Sequence, residues 1–262
     1  MAFVRFDNVS ITFFKQQGLR PFTAVENFDL SIEEGEFFCL LGPSGCGKTT
    51  VLNMLAGFDL PTDGRITKNG ADVQGPGRDR AVVFQGEDSL YGWLSASDNV
   101  AFGPKLAGIP MAKRERIAER YLSLVGLAEH GHKLPNEMSG GMKQRTQIAR
   151  VLANEPDILL MDEPFAALDS QTRRVLQGEL VRIWKATGKT VLFITHDIEE
   201  AIILGTRIGV MRAGPASAIK ETISIEGVDT QDRRGKNFLE YYRVVHDLIE
   251  DEVGKSLKGE LP

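Results

Sequence analysis

Two patterns of apolar residues predict strands in the first third of the chain. Residues 4–9 and 28–32 alternate apolar and polar positions with a period of two, which is typical of strands half buried in an antiparallel sheet. Residues 37–41 are apolar without interruption, and such a run predicts a strand that is buried on both faces. After a glycine-rich turn, residues 50–56 predict a short amphipathic helix that ends at Gly57.

The uninterrupted pattern returns in the second half of the chain, at residues 158–161 and 191–195. Between these runs, residues 171–187 predict a helix whose apolar face comprises Val175, Leu176, Leu180, Ile183 and Trp184. Buried strands separated by a helix are typical of a parallel sheet. We therefore expect an α/β core that carries an N-terminal antiparallel β subdomain.

Residues 89–153 contain two long helical patterns and no convincing strand. One pattern covers residues 112–125, and the other begins near Ser139 and ends before Pro156. Because this stretch lies between predicted strands of one core, it is expected to be an inserted helical subdomain rather than a separate domain.

The tail, residues 213–262, is rich in glycine and charge before it becomes helical. Its apolar positions recur at helical spacing and comprise Phe238, Leu239, Tyr242, Val245, Leu248 and Ile249. Such a stripe favours a terminal helix packed on the core, with a partner-binding helix as the alternative. The expected organisation is a domain over residues 1–225 and a helical tail over residues 226–262.

Composition narrows the class of protein. The chain has 31 lysine and arginine residues against 36 aspartate and glutamate residues, and its net charge of −5 argues against a nucleic-acid binder. The longest apolar runs have the length of a strand, so no membrane span is expected, and the N-terminus lacks the pattern of a signal peptide. Cys39 and Cys46 form no metal-ligand pattern and indicate free thiols in a reducing, cytoplasmic compartment.

Residues 42–49 fit the pattern G-x-x-x-x-G-K-[ST] of a phosphate-binding loop. The glycines let backbone N–H groups surround phosphate oxygens, Lys48 brings a positive charge to the β- and γ-phosphates, and the Thr49 hydroxyl can bind Mg²⁺. A glycine-rich turn with a surface lysine is the alternative, disfavoured because a buried strand precedes the loop and a helix follows it. Cys46 lies in this loop, and its alkylation is expected to block the site unless the thiol is buried.

An acidic pair, Asp162 and Glu163, follows the apolar run at residues 158–161. That position is the carboxyl edge of the sheet, where ligands bind in open α/β folds. Asp162 can hold Mg²⁺, and Glu163 can orient or deprotonate an attacking water. His196 follows the run at residues 191–195 in the same way, with a satisfied polar residue at a strand edge as the alternative.

Ser139, Gly140 and Gly141 stand at the start of a predicted helix. Two glycines in a first turn weaken a helix, and this cost indicates a close approach to another group. A phosphate suits the free N–H groups of a helix start, whereas the simpler alternative is an N-cap by Ser139 with tolerated glycines.

Taken together, these motifs resemble the ATP-binding cassette (ABC) family, the ATPase subunits of ATP-driven transporters. The resemblance covers residues 3–212, and its motifs occur in the family's order, which is the loop at 42–50, Gln85, Ser139-Gly140-Gly141, Asp162-Glu163, Asp169 and His196. It implies a P-loop NTPase (RecA-like) core with an N-terminal antiparallel β subdomain and a helical subdomain inserted at about residues 89–153. ATP and Mg²⁺ are the implied ligands.

The resemblance also implies a role for each motif. Glu163, His196 and Gln85 form the catalytic set, and Thr49, Gln85 and Asp162 form the metal-binding set. Ser139, Gly140 and Gly141 would contact the nucleotide held by a second copy of the chain, and Asp169 would lie at the dimer interface. The nucleotide-binding residues are Phe13, Gly42, Pro43, Ser44, Gly45, Cys46, Gly47, Lys48, Thr49 and Thr50, with Phe13 or Phe14 stacking on adenine.

Finer features, at residues 74–85, 98–103, 139–142 and 195–201, resemble the importers of nitrate, sulfonates and taurine. They imply the ATPase subunit of a small-anion importer, a homodimer acting on integral membrane permease subunits and served by a separate solute-binding protein. Such a subunit is cytoplasmic and peripheral on the inner face of the cell membrane. The stretch from 86 to 93 is one residue longer than in relatives, and it borders the groove expected for the membrane subunit.

Three alternatives stay open on the sequence. A non-transport cassette would serve iron–sulfur assembly, DNA repair or translation, although translation factors usually carry two cassettes and repair proteins carry long coiled-coil or zinc insertions. A P-loop kinase would lack both the helix at Ser139 and His196. The third alternative is an importer ATPase for a different small solute.

Overall fold

The computed structural model describes residues 2–14, 21–84, 89–228 and 233–257. Its strands are β1 (Val4–Phe13), β2 (Phe22–Ile32), β3 (Phe37–Leu41), β4 (Asp63–Lys68), β5 (Ala71–Asp72), β6 (Arg80–Val83), β7 (Ile158–Asp162), β8 (Thr190–Ile194), β9 (Arg207–Met211) and β10 (Ile219–Ser224). Its α-helices are α1 (Lys48–Ala56), α2 (Ala96–Leu106), α3 (Met111–Leu124), α4 (Gly140–Leu152), α5 (Ser170–Thr187), α6 (Ile198–Leu204) and α7 (Lys236–Leu257). The chain divides into two compact units, residues 1–77 with 190–262 and residues 78–189.

An antiparallel sheet in the order β2-β1-β4-β5 forms one layer of the first unit. Val4 pairs with Ile32, and Phe6 pairs with Leu30, so the apolar positions of both strands share the buried face. The rings of Phe6 and Phe28 meet edge to face there, with centroids 5.3 Å apart. The prediction of two half-buried antiparallel strands is confirmed.

The second sheet of this unit has the order β10-β9-β3-β8, with β3 at its centre. All five residues of β3 are buried, and the strand runs parallel to β8 on one side and to β9 on the other. Such burial on both faces is what an uninterrupted apolar strand requires. The parallel α/β core predicted from the sequence is therefore confirmed.

Helix α1 ends at Gly57, as predicted, in the left-handed conformation with φ +80°. A Cβ atom at this position would lie 2.1 Å from the carbonyl oxygen of Gly75. Only glycine tolerates both this backbone conformation and this approach of another backbone segment.

In the second unit, β6 and β7 pair in parallel, and α2, α3 and α4 pack against one another. The sequence pattern predicted α3, α4 and α5 but missed α2. Helix α2 contains Pro104 and depends on polar contacts at its start. Ser95 accepts a hydrogen bond from the N–H of Asp98, and the buried Asn99 amide donates to the carbonyl oxygens of Tyr91, Leu94 and Ser95. Val175, predicted on the packed face of α5, is exposed instead.

The tail forms α7, which packs against α6 and β9 within the first unit. Phe238 and Val245 are buried, whereas Leu239, expected in the same stripe, is 45% exposed. Glu252 is buried as well, where it accepts a hydrogen bond from the N–H of Ala213 and pairs with Lys220. The sequence did not predict β10, which precedes this helix. Across the described parts of the chain, no helix is both long and apolar enough to span a bilayer.

Candidate nucleotide-binding site

The glycine-rich loop connects β3 to α1 in the first unit. Gly45 and Gly47 have φ of +79° and +94°, values that favour glycine. A Cβ atom on Gly42 would lie 2.7 Å from Cys46 Sγ, so the loop closes tightly on itself. Ser44 and Gly45 at its crest are exposed.

Lys48, the first residue of α1, is buried beneath this loop. Its ammonium group donates hydrogen bonds to the carbonyl oxygens of Gly42, at 2.7 Å, and Pro43, at 3.0 Å. Gly47 occupies the N-cap of α1. Because glycine has no side chain, it cannot accept a capping hydrogen bond from the first N–H groups of the helix. A helix start of this kind presents a partial positive charge and suits a phosphate.

Cys46 is fully buried in the loop, and burial raises the pKa of its thiol. The neighbouring Lys48 acts in the opposite direction but is the smaller effect. Because the thiolate is the reactive form, the expected alkylation of Cys46 is disfavoured and the buried-thiol alternative is supported.

His196 follows β8 at the end where the glycine-rich loop follows β3, since Leu40 pairs with Ile194. Its side chain is exposed. Phe13 ends β1 opposite Phe22 and is 37% exposed, and Phe14 is 77% exposed. Both rings are therefore accessible from solvent.

The acidic pair lies in the second unit. Asp162 is the last residue of β7, and Glu163 follows it with φ +43°. Both side chains are half-buried. A non-glycine residue in this conformation carries strain of about 1–3 kcal/mol and is found preferentially at functional sites. No sequence pattern had indicated the strain.

Helix α4 starts at Gly140, and Ser139 is its N-cap, accepting a 3.4 Å hydrogen bond from the N–H of Met142. The N-cap alternative is thus present. Gly141 also has a need within its own chain, because a Cβ atom there would lie 3.0 Å from Thr172 Cγ2. A cavity of about 320 Å³ borders this helix start, lined by Ser139, Gly141, Met142, Arg145, Gln171, Thr172 and Val175.

Asp169 is exposed and caps α5 in the same unit. Its Oδ1 accepts hydrogen bonds from the N–H groups of Gln171 and Thr172, both at 3.0 Å. A hydrogen bond from the Thr172 side chain makes the largest contribution to lowering the pKa of the Asp169 carboxyl, and these backbone bonds lower it further. The cap therefore holds Thr172 in place against Gly141.

The structure divides the predicted site residues between the two units. The first unit brings together residues 42–50 and His196 on neighbouring strands, and it carries Phe13. The second carries residues 139–141, 162–163 and Asp169. Gln85 lies outside the described residues. Two neighbours of His196 had no role predicted from the sequence, namely Thr195 and Glu200, whose side chains hydrogen-bond to each other.

Comparisons with known proteins identify the family. Residues 25–166 match the family model described as ABC transporter. The chain is 47% identical to the nitrate import ATP-binding protein NrtD of Synechococcus elongatus over 86% of this chain and 81% of that protein. It is 50% identical to the taurine import ATP-binding protein TauB of Rhizobium johnstonii over 82% of each.

Among solved structures, the chain resembles a dimeric ATP-binding cassette in a post-hydrolysis state bound to ADP and Pi. The TM-score is 0.71 at 32% identity, and the match covers 86% of this chain and all of that one. With the family model and the relatives in agreement, the chain belongs to the ABC transporter family and is an ATPase with the P-loop NTPase fold of its cassettes.

Proposed function

We propose that the chain powers the import of a small anion, either a sulfonate such as taurine or nitrate. The observation that carries this proposal is the identity of 47–50% to ATP-binding proteins named for nitrate and taurine import. The assignment is to the uptake of a small anionic solute, with ATP hydrolysis as its energy source.

ATP binds at the glycine-rich loop in this proposal. Lys48 exchanges the carbonyl oxygens of Gly42 and Pro43 for phosphate oxygens of higher charge density, which the buried ammonium group prefers. The N–H groups of residues 42–50 surround the phosphates. Phe13 or Phe14 supplies the exposed ring on which the adenine stacks.

Thr49, Asp162 and Gln85 are proposed to hold Mg²⁺. A hydroxyl, a carboxylate and an amide oxygen are the hard oxygen donors that this ion prefers, and the Asp162 carboxylate is only half-buried at the end of its strand. The donor set therefore fits the ion. When bound, Mg²⁺ neutralises charge on the phosphate oxygens.

Glu163 is proposed as the base that takes the proton of the attacking water, and His196 as the contact to the γ-phosphate. The positive φ of Glu163 supports this role because strained non-glycine residues are found preferentially at functional sites. A positioned base contributes about 10²–10⁴-fold to the rate.

The proposed active form is a homodimer with shared sites. The start of α4, with Ser139, Gly140 and Gly141, faces the nucleotide of the other subunit, and the 320 Å³ cavity beside it provides the space. Asp169 lies at the interface between the two subunits. The dimeric cassette among the similar structures supports this arrangement.

The proposed partners are integral membrane permease subunits and a separate solute-binding protein. The chain would then lie on the inner face of the cell membrane, with residues 1–225 as the ATPase domain and residues 226–262 as a tail packed on it. Burial of Phe238 and Val245 in α7 supports the position of the tail.

Uptake in cells tests the proposal. The gene is deleted and then complemented with the native chain, with Glu163→Gln, or with Glu155→Gln, an exposed control that also has positive φ. Uptake of labelled taurine, of another sulfonate or of nitrate should be lost with Glu163→Gln and restored by the control. Normal uptake of all three in the deletion strain would contradict the proposed substrates. If the chain also fails to co-purify with a membrane protein from detergent extracts, a non-transport cassette is favoured.

A further inference from the structure

Glu200 is a carboxylate in the first turn of α6 that no proposed step uses. It is only 4% exposed. A buried carboxylate is costly unless hydrogen bonds compensate its lost hydration. Its partners therefore show what the residue supports.

Three hydrogen bonds join Glu200 and the two residues on either side of His196 to one another. The Thr195 hydroxyl donates to Glu200 Oε2 at 2.5 Å, and the N–H of Asp197 donates to Thr195 Oγ1 at 3.0 Å. The N–H of Glu200 donates to Asp197 Oδ1 at 3.1 Å. The bonds form a closed circuit through Thr195, Asp197 and Glu200, with His196 inside its span.

This circuit differs from an ordinary capping box. In a capping box, the glutamate at the third helical position accepts directly from the N–H of the N-cap residue. Here the N-cap is Asp197, and the Thr195 hydroxyl is inserted between its N–H and Glu200. The insertion extends the cap backwards past His196, which a direct bond would not do.

The same turn is attached to the strand that leads into the glycine-rich loop. The N–H of Thr195 donates to the carbonyl oxygen of Leu40 at 3.3 Å, two residues before Gly42. Thr195 is buried, whereas the His196 side chain is exposed. The contacts hold the backbone on both sides of His196 and leave its imidazole accessible.

We propose that Glu200, acting through the Thr195 hydroxyl, is a positioning residue that sets the direction of the His196 imidazole for hydrolysis. The short bond from a hydroxyl to a carboxylate is of the strong, charge-assisted kind, which suits a fixed turn. The inference depends on the proposed role of His196 at the γ-phosphate. The competing explanation is a helix cap that contributes stability alone.

Substitutions at Thr195 test this inference in the full chain. Thr195→Val keeps the shape and removes the hydroxyl, while Thr195→Ser keeps the hydroxyl. We expect Thr195→Val and Glu200→Gln to lower kcat by about 10- to 100-fold, the effect of a small misplacement, with the ATP dissociation constant within about twofold of the native value. The Thr195→Ser variant should retain most of the native kcat, because it keeps the hydroxyl.

Glu252→Gln is the matched control, because Glu252 is another buried glutamate of the first unit, and its carboxylate accepts a hydrogen bond from the N–H of Ala213. It should lower the melting temperature and leave kcat within about twofold of the native value. Equal losses of kcat in Glu252→Gln and Glu200→Gln would reduce the effect to general stability and overturn the inference.

A double-mutant cycle separates action through His196 from other routes. If Glu200 acts through His196, Glu200→Gln should cause no further loss of kcat in the His196→Ala background. Multiplying losses would overturn the inference.

NMR spectroscopy tests the positioning of His196 independently of its proposed role at the γ-phosphate. The chain has four histidines, and the imidazole NMR signal of His196 is the one lost in His196→Ala. Thr195→Val should shift or broaden this signal, and Thr195→Ser should not. An unchanged signal would overturn the inference, whereas normal hydrolysis by His196→Ala with a shifted signal would overturn only the proposed role of His196.

Discussion

The ammonium group of Lys48 lies 2.7 Å from the carbonyl oxygen of Gly42, so the loop's lysine is bonded to the first residue of its own loop. The bond satisfies a buried charge and holds the loop closed around the place that a phosphate would take. In the proposed site, a nucleotide would therefore replace contacts of Lys48 rather than order a mobile side chain.

Replacing this lysine should weaken ATP binding. Lys48→Ala removes a charge-assisted contact, and we expect the dissociation constant by calorimetry to rise about 10- to 100-fold. ATP at about 100 times its dissociation constant stabilises a protein by about 2.7 kcal/mol, so the thermal shift given by ATP should shrink at the same concentration. Lys113→Ala, at an exposed position of α3, is the control. An unchanged affinity in Lys48→Ala would remove the lysine from the site.

The strained glutamate should be needed for hydrolysis and not for binding. Glu163→Gln keeps the size of the side chain and removes the base, so turnover should fall by about 10²–10⁴-fold with ATP affinity intact. Glu155→Gln makes the same change at an exposed residue that also has positive φ, and it should leave turnover unaltered. Near-native turnover in Glu163→Gln would refute the assignment.

A carboxylate side chain at position 141 should prevent formation of the proposed ATP-dependent dimer. Gly141→Asp is expected to block ATP-dependent dimerisation, measured by light scattering in the Glu163→Gln background, and to leave ATP binding by the loop intact. Since a Cβ atom there also approaches Thr172, a second variant separates the two effects. Adding Thr172→Ser removes the contacted methyl group, and rescue of Gly141→Asp by it would mean that the defect lies within one chain.

Mixing provides the complementary control for the shared site. A Lys48→Ala chain and a Gly141→Asp chain place both defects in one site of a heterodimer and leave the other site whole. Some ATPase activity should therefore return, up to the level that one intact site allows. Dimerisation of Gly141→Asp, Glu163→Gln as strong as that of Glu163→Gln alone would contradict the shared site.

The two thiols should be inert in the folded chain. Burial raises the pKa of Cys46 and raises that of Cys39 well above its ordinary value, so few thiolates form at neutral pH. A thiol reagent should label neither cysteine in native buffer and both in concentrated guanidinium. Rapid labelling of Cys46 in the native chain, slowed by MgATP, would show the loop to be more open than described.

Acid should weaken the attachment of the tail. Lys220 and then Lys255 lower the pKa of Asp251 to about 2 through hydrogen bonds to its carboxylate. Because the folded pKa lies below the unfolded value of about 3.9, this stabilisation is present above pH 4 and is lost as the pH falls towards 2. Urea unfolding should show Asp251→Asn less stable than the native chain at pH 5 and equal to it near pH 2.

A matched control for that titration lies one turn earlier on the same helix. Asp247 is exposed and faces His246 at 3.8 Å rather than two lysines. At pH 5, Asp247→Asn should lose less stability than Asp251→Asn does. A parallel loss of stability in both variants would assign the effect to the net charge of the helix.

The hydrophobic pattern predicted β1, β2, β3, β7 and β8 because burial leaves a direct trace in composition, and it did not predict the other five strands. The five apolar residues of β3 can only be covered on both faces, and the alternation in β1 matches its single buried face. The glycine-rich loop could also be recognised from the sequence, because its backbone adopts positive φ values that favour glycine.

Features that depend on tertiary contacts could not be predicted from the sequence. Helix α2 was missed because Asn99 and Ser95 stabilise its start, and such bonds leave no periodic signal. Val175 has helical spacing but borders an open cavity. The supporting role of Glu200 depends on a side-chain direction that spacing does not encode.

The tail helix has a consequence for how the chain can be divided. Its Glu252 accepts the N–H of Ala213, which lies 39 residues earlier, and its Phe238 is 3% exposed. A chain cut before this helix would leave a buried donor without its acceptor and would expose an apolar surface to water. The helix therefore contributes to the packing of the first unit, and a truncation would disturb folding before it could report on the proposed transport.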